Sequence, residues 1–351
     1  MTRATVKSVQ NAFLRVIAWM VAPFWVACAW LVIAGGATWS GIAYILAAGV
    51  VLAGLATLPQ EGAPPKRRRG LSRFGLCAIA IVAVVRMVSV AQGRTMRFTE
   101  NGDGSGRLVD RLIDESDLAL AGMSAAYATG FLRDDADRLP EAMRRGYATM
   151  RREEGDLPTP QVATLLGLER ASAFDLIVVD AAPPVRGAVV FLHGSAGNFE
   201  LPCFQIARVM RPRGITTACP ATSWSGWWAT PGGETIVRRS LEVVRARGAS
   251  RVILMGLSNG GISGSILAPR LNGSIAGLVL FSGADSDAPE AGVPTLVFHG
   301  VHDGHVDVED SRLYAARTNA RFIPLPAGHF AMLVEAERIE PELIAFVEDV
   351  L

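Results

Sequence analysis

The sequence predicts an α/β fold, a mostly parallel sheet with helices on both faces, preceded by an α-helical transmembrane region. Two observations lead to this prediction. Long uncharged apolar runs fill most of residues 1–93, whereas strand-length apolar runs alternate with helical patterns after about residue 171. Apolar runs of about twenty residues are typical of membrane spans. Alternating strands and helices are typical of parallel sheets.

Charge divides the chain at the same place. The 351 residues have a formal net charge of +1 and are 50% hydrophobic and 19% charged, which is too apolar for a disordered chain. Residues 1–93 carry nine of the 34 basic side chains and one of the 33 acidic ones, so their charge is +8 and that of the remainder is −7. An acidic second region argues against nucleic acid as a partner, and we expect none.

Two spans are predicted first, at residues 12–34 and 40–58. No charged residue occurs in Val16–Gln60, and these 45 residues would measure about 68 Å as helix, roughly twice the hydrocarbon thickness of a bilayer. The weakly polar stretch around Gly35–Gly41 is the expected turn. A cleaved signal peptide is the alternative, but the run is too long and a second one follows at once.

A third span is predicted at residues 74–92, although Arg86 interrupts it. Nine Leu, Ile, Phe and Val side chains contribute roughly −4 kcal/mol to insertion, which offsets about 3 kcal/mol for one arginine. We expect Arg86 to snorkel toward the nearer membrane face. The basic loop Glu61–Arg73 is expected in the cytoplasm with the N-terminus. Three spans then place the remainder outside the cytoplasm, whereas two leave it inside.

Residues 94–170 are expected to form a linker and helical prelude, and residues 171–351 the α/β domain. Helical patterns lie near Gly106–Met123 and Asp137–Glu153. Ligands of such sheets bind beyond the carboxyl ends of the strands, so the functional residues are sought there.

One strand runs directly into a nucleophile motif. The strand RVILMG continues into LSNGG, so that Gly256, Ser258 and Gly260 form G-x-S-x-G between a strand and a helix. This motif turns sharply and exposes the serine hydroxyl above the sheet, and the glycines allow the close approach of helix and strand. Ser258 is therefore the predicted nucleophile.

A serine nucleophile needs a base, and the chain has only five histidines. His329 follows the last strand and is the predicted base, whereas His193 and His299 precede glycines at strand ends and are interpreted as loop residues. Asp303 follows the preceding strand and is the predicted acid, with Asp285 and Asp287 as competitors. The order Ser258, Asp303, His329 is one of the known chain orders of this triad.

An oxyanion hole is expected near the nucleophile. The loop FLHGSAGN follows a strand, and a backbone N–H group in it would stabilise a developing negative charge. We predict Ser195 as the loop donor, with Ala196 as the alternative, and the backbone N–H of Asn259 as the second donor.

Four motifs in this order, FLHGSAGN, MGLSNGG, FHGVHDGHV and PAGHF, resemble the α/β-hydrolase superfamily over roughly residues 174–351. The resemblance implies a serine hydrolase that uses this triad. Dienelactone-hydrolase-like and feruloyl-esterase-like enzymes are similar, as are serine peptidases, so peptidase or amidase activity stays open. Residues 282–294 leave no room for an inserted lid, and only the prelude 94–170 or the 221–233 loop remains to cover the site.

The loop TSWSGWWATPGG contributes three tryptophans near the expected site. Trp224, Trp227 and Trp228 are predicted to line an apolar pocket for an ester substrate, small or lipid-like. Packing in the core or contact with a membrane surface is the alternative.

Three questions stay open at this level. His299, His302, Asp303 and His305 crowd like metal ligands, although we expect neither a metal nor another cofactor. A non-catalytic membrane scaffold with a hydrolase-like fold is the rival function. Cys203 and Cys219 would be free to pair outside the cytoplasm, but their spacing does not decide whether they do.

Overall fold

The structure is a computed structural model that describes residues 3–58 and 69–351. Most of the basic loop that was expected to set the membrane orientation, including Lys66 and Arg67, lies outside the described residues. The chain forms two compact units. We call them the helical unit, which comprises the chain up to Val90 and Leu112–Thr129, and the sheet unit, Ala91–Arg111 and Gly130–Leu351.

The helical unit begins with three long helices. These are α1 Arg3–Ala34, α2 Trp39–Ala56 and α3 Arg69–Ser89. Their apolar portions, Ser8–Ala34, Trp39–Ala56 and Gly70–Ser89, are long and apolar enough to cross a membrane. Thr38 caps α2, because its side chain accepts a hydrogen bond from the backbone N–H of Gly41.

A fourth helix, α4 Glu115–Thr129, completes this unit, and two residues directly before it contact Arg86. Arg86 is fully buried rather than extended toward solvent, so the expectation of snorkelling was wrong. Its Nη1 lies 3.8 Å from Asp114 Oδ2 and donates to Ser40 Oγ at 3.3 Å, and its Nη2 donates to the carbonyl of Ile113 at 2.9 Å. Buried guanidinium groups persist where such partners replace water.

A second contact ties the same segment to the first helices. Asp117 accepts hydrogen bonds from the backbone N–H of Thr38 at 2.7 Å and from its hydroxyl at 2.6 Å, and Tyr44 donates to the carbonyl of Leu112 at 2.9 Å. Part of the expected linker thus belongs to the helical unit. The sequence pattern of this short segment does not reveal which surface it packs against.

The sheet unit is built on eight strands in the order β1-β2-β4-β3-β5-β6-β7-β8. The pairs β1–β2 and β2–β4 are antiparallel and all others are parallel. The strands are β1 Met96–Glu100, β2 Asp175–Val179, β3 Gly187–Leu192, β4 Ile215–Pro220, β5 Val252–Leu257, β6 Gly277–Phe281, β7 Thr295–Gly300 and β8 Arg321–Leu325.

Strand β1 lies in the segment that was expected to be linker and helical prelude. Met96, Phe98 and Thr99 are buried and Arg97 is exposed, so the two-residue period of a strand is visible only over its first three residues. Its five residues are too few to stand out beside the charges that flank them. Because β1 precedes residue 171, the sheet includes one strand from outside the predicted α/β domain.

Helices cover both faces of this sheet. Val190 and Leu192 of β3 pack in a core with residues of α8 and α9, whereas the equally buried Val189 and Phe191 point to the opposite face. The helices are α5 Leu139–Glu154, α6 Gln161–Leu165, α7 Glu200–Met210, α8 Pro231–Ala246, α9 Asn259–Leu267, α10 Val308–Thr318, α11 Ala331–Val334 and α12 Ala336–Val350. The predicted α/β fold, a mostly parallel sheet with helices on both faces, is confirmed.

A disulfide joins helix α7 to strand β4 of the sheet. Cys203 of α7 and Cys219 of β4 are both fully buried and bonded, with their Cα atoms 6.1 Å apart. The bond decides a question that sixteen residues of sequence separation left open.

Candidate active site

Ser258 occupies a strained turn between β5 and α9. Its φ of +55° and ψ of −123° are unusual for a residue with a side chain. A Cβ at Gly256 would lie 2.3 Å from the carbonyl oxygen of Gly260, and one at Gly260 would lie 2.2 Å from that of Leu192. The two glycines of the motif are therefore required by close packing, and the turn presents the serine at the edge of the sheet.

The three residues of the predicted triad lie within hydrogen-bonding distance. His329 Nε2 is 3.0 Å from Ser258 Oγ, and His329 Nδ1 is 2.7 Å from Asp303 Oδ2. Ser258 follows β5, Asp303 follows β7 and His329 follows β8. The carboxyl ends of these three strands share one edge of the sheet. Of the two competitors, Asp285 uses its carboxylate in a local turn, where it accepts the backbone N–H of Asp287.

Asp303 is shaped to stay ionised. Its Oδ1 accepts the backbone N–H groups of His305 at 2.8 Å and Val306 at 3.0 Å. Burial raises the pKa of this carboxyl, but hydrogen bonds with His299 and His329 outweigh it and hold the pKa well below its usual range. A carboxylate in this state orients an imidazole and stabilises its protonated form.

A second histidine contacts the same carboxylate oxygen, which the sequence did not predict. His299 is fully buried, its Nε2 lies 3.1 Å from Asp303 Oδ2, and its Nδ1 lies 2.7 Å from Ser311 Oγ. Because Nε2 also faces the carbonyl of Val306 at 3.2 Å, two acceptors surround it and we assign the proton to that nitrogen. The spacing of four residues between His299 and Asp303 was the available signal.

The two predicted oxyanion donors lie side by side. The side-chain amide Nδ2 of Asn259, not its backbone N–H, donates to Ser195 Oγ at 2.9 Å. A Cβ at Gly194 would lie 2.8 Å from Ser258 Cβ, so this loop lies against the nucleophile. Ala196 donates its backbone N–H to the carbonyl of Trp224 at 2.8 Å. This bond engages the alternative donor and favours Ser195.

The tryptophans separate into two groups. Trp228 is fully buried, and its Nε1 donates to the carbonyl of His193 at 2.9 Å, so for this residue the core-packing alternative holds. Trp224 and Trp227 are 49% and 37% exposed.

His193 accepts the backbone N–H of Thr222 at 3.0 Å, and burial lowers its pKa to about 4, so it is a neutral structural acceptor.

The prelude contributes a segment beside the triad that sequence reasoning missed. Asp134 accepts the backbone N–H of Gly304 at 2.9 Å, next to Asp303, and Asp135 accepts that of Gly328 at 2.6 Å, next to His329. No local pattern marks these carboxylates, because 170 and 193 residues separate them from their donors.

The crowded histidines are not grouped as metal ligands in the part of the chain that the structure describes. Across residues 3–58 and 69–351 there is no group of three or more His, Cys, Asp or Glu side chains arranged to hold a metal ion. His299 instead uses both ring nitrogens in hydrogen bonds with Ser311 and Asp303.

Comparison with solved structures returns esterases. The Pyrococcus furiosus esterase Pf2001 is 12% identical with a TM-score of 0.43, over 51% of this chain and 88% of that one. Est1E from Butyrivibrio proteoclasticus is 13% identical with a TM-score of 0.42, over 50% and 95%. A Thermogutta terrifontis esterase is 15% identical with a TM-score of 0.42, over 51% and 95%. No protein-family model and no curated protein matches the sequence.

Proposed function

We propose that this protein is a membrane-anchored serine hydrolase that cleaves carboxylic esters or thioesters through an acyl-enzyme. One observation carries the proposal, the hydrogen-bonded series from Ser258 through His329 to Asp303 at a strained strand-to-helix turn. Such an arrangement activates a serine that is otherwise a poor nucleophile.

Acylation is the first half of the proposed reaction. Ser258 Oγ attacks the carbonyl carbon while its proton passes to His329 Nε2, which lies 3.0 Å away. The carbonyl oxygen becomes an oxyanion beside the backbone N–H groups of Ser195 and Asn259. His329 then returns its proton to the leaving oxygen or sulfur as the bond from that atom to the carbonyl carbon breaks.

Deacylation repeats the sequence with water. His329 removes a proton from the water, whose oxygen attacks the acyl carbon, and the Ser258 ester bond breaks as Oγ recovers the proton from Nε2. The carboxylate of Asp303 stays ionised throughout and stabilises the imidazolium that forms twice in each cycle. The products are a carboxylic acid and an alcohol or thiol.

The proposed location of the sheet unit is outside the cytoplasm. Three helices long enough to span would bring the chain to that side if the N-terminus is cytoplasmic. The Cys203–Cys219 bond supports this orientation, because disulfides persist in oxidising compartments and are rare in the cytosol.

A fluorophosphonate probe tests the nucleophile. The full chain should be used in detergent micelles, because Leu112–Thr129 packs in the helical unit and would be unsupported in a truncated protein. We expect labelling of the wild type and loss of labelling in Ser258→Ala, with Ser286→Ala as the matched control. Ester turnover should fall at least about a thousandfold in Ser258→Ala.

The same preparation decides between the alternatives. Turnover of ester and thioester substrates without turnover of aminoacyl amides would support esterase or thioesterase activity, and the reverse would favour a peptidase. A folded wild type that neither reacts with the probe nor hydrolyses any substrate would instead indicate a non-catalytic scaffold.

The exposed tryptophans are proposed to contact the acyl part of the substrate. In the loop that carries Trp224 and Trp227, the carbonyl of Trp224 accepts the backbone N–H of Ala196. The carbonyl of Ser225 accepts hydrogen bonds from the Ser195 hydroxyl and from the side-chain amide of Asn259. In Trp227→Ala, the preference among ethyl esters of increasing acyl length should change by about tenfold. An unchanged chain-length preference would contradict this role.

A further inference from the structure

Three aromatic rings lie in series beside the base. The His305 ring is 5.3 Å from that of His329 and nearly perpendicular to it, and the Phe131 ring is 4.9 Å from that of His305. Phe131 is 73% exposed despite its size. A large apolar side chain left in water next to a proposed catalytic group is a candidate contact for a ligand.

The position of this surface follows from the proposed chemistry. His329 Nε2 must reach the leaving oxygen in order to protonate it, so the alcohol portion of an ester lies on the histidine side of the site. The carbonyl oxygen faces the proposed donors Ser195 and Asn259, and the acyl group is a separate substituent of the same carbon. Because the His305 ring contacts that of His329 and the Phe131 ring contacts that of His305, we infer that both rings lie on the alcohol side.

Polar contacts hold the segment that follows Phe131 against the loops that carry His305 and His329. Asp134 and Asp135 accept the backbone N–H groups of Gly304 and Gly328. Arg138 donates to the carbonyl of Pro326 at 2.8 Å and pairs with Glu335 at 2.7 Å.

Close packing also fixes the segment that carries Asp134 and Asp135. A Cβ at Gly328 would lie 2.3 Å from Asp134 Cβ, so the segment packs directly on the loop of the base. A binding surface that is already ordered before the ligand arrives discriminates between ligands at little entropic cost.

We propose that Phe131 and His305 form a leaving-group subsite that selects esters of aromatic or bulky apolar alcohols. The inference rests on the proposed function and adds the class of alcohol to it. Offset and edge-to-face ring contacts would bind a benzyl or phenyl group more tightly than a short alkyl group.

The protonation state of His305 supports this role. Partial desolvation, and next the charge of His329, lower the pKa of His305, although Asp303 and Asp134 act in the opposite direction. A neutral imidazole presents a better surface for an apolar ring than an imidazolium does, because less water must be removed from it.

Two series of esters separate the two sides of the site in the full chain. The first varies the alcohol, from ethyl acetate to benzyl acetate, and the second varies the acyl group of ethyl esters. In Phe131→Ala, kcat/KM for benzyl acetate should fall about tenfold, whereas kcat/KM for ethyl acetate should change less than about twofold. The preference in the acyl series should not change.

Controls distinguish this proposal from the one on which it rests. Leu313→Ala, at an exposed residue of α10, should leave both series unchanged, and Phe131→Leu should lie between the wild type and Phe131→Ala. Equal loss for both alcohols, or no loss, in a Phe131→Ala protein that still reacts with the fluorophosphonate would overturn the subsite alone. A wild type that neither reacts nor hydrolyses either ester would overturn the proposed function and the subsite with it.

Discussion

The two units bury charge in opposite ways. In the helical unit, the buried guanidinium of Arg86 is matched by Asp114, a hydroxyl and a carbonyl. In the sheet unit, Arg107 Nη1 lies 3.3 Å from Glu169 and 3.4 Å from Asp175, and Asp110 is buried in the same cluster. One site pairs charges and the other has too few cations for its carboxyls.

The carboxyl cluster of Asp110, Glu169 and Asp175 therefore retains protons. Burial first, and then the charge of Asp175, raises the pKa of Asp110 to about 8. Burial first, and then interaction with Asp175, raises the pKa of Glu169 to about 9. Ionisable groups are therefore compatible with an apolar environment when they are either paired or neutralised.

Breaking the pair in the helical unit should have the largest effect on stability. Arg86→Leu removes the cation that faces buried Asp114, and breaking a buried pair from one side costs about 3–5 kcal/mol. Thermal unfolding of the full chain in detergent measures the loss. The double variant Arg86→Leu/Asp114→Leu should recover part of it. A single variant as stable as the wild type would contradict the pairing.

Removal of the disulfide should have the next largest effect, confined to the sheet unit. Closing a loop of about sixteen residues stabilises a protein by about 3 kcal/mol, so Cys203→Ser/Cys219→Ser should unfold at correspondingly lower denaturant concentration. Reductant should destabilise the wild type in the same way and leave the double variant unaffected. Equal sensitivity of both proteins to reductant would argue against the bond.

The carboxyl cluster predicts a stability that falls as pH rises. Because the pKa values of Asp110 and Glu169 are raised in the folded chain to about 8 and about 9, the folded state binds more protons than the unfolded state between pH of about 4 and these values. For each such proton, the free energy of unfolding falls by at most about 1.4 kcal/mol for every unit by which the pH rises over that range.

Amide variants test this sign. Glu169→Gln and Asp110→Asn should flatten the decline between pH 5 and pH 9, measured by denaturant unfolding at each pH, because an amide keeps the shape of a protonated carboxyl and does not ionise. Asp303 contributes in the other direction, since its lowered pKa adds stability that is lost as pH falls into the acid range. A decline that persists unchanged in both amide variants would exclude the cluster as its source.

The smallest expected effect concerns the histidine that shares Asp303. His299→Leu removes a donor to Oδ2, so the carboxylate keeps more charge for His329 and the acid limb of the kcat/KM profile should move to higher pH. Turnover at neutral pH should change by about tenfold or less. His299→Gln, which retains a donor, should restore the profile. A profile that stays in place in His299→Leu would reduce His299 to a packing role.

Local patterns were informative where the chemistry is local. The strained turn at Ser258 needs glycines two residues away on either side, and a motif of this kind is visible in any single sequence. Asp303 and His329 could be predicted because each directly follows a strand of one parallel sheet. Trp228 shows the opposite case, since three neighbouring tryptophans look alike in sequence and only packing separates the buried one.

By itself, the sequence determined the apolar helices, the α/β fold and three residues that the folded chain brings together, because periodicity and strand order are properties of the chain. Tertiary structure decided what depends on distant partners. It buried Arg86 beside Asp114, placed Asp134 and Asp135 against loops 170 and 193 residues away, and gave Asp303 two histidines. Hydrogen bonds and packing act over a few ångströms whatever the separation along the chain, so no local pattern contains them.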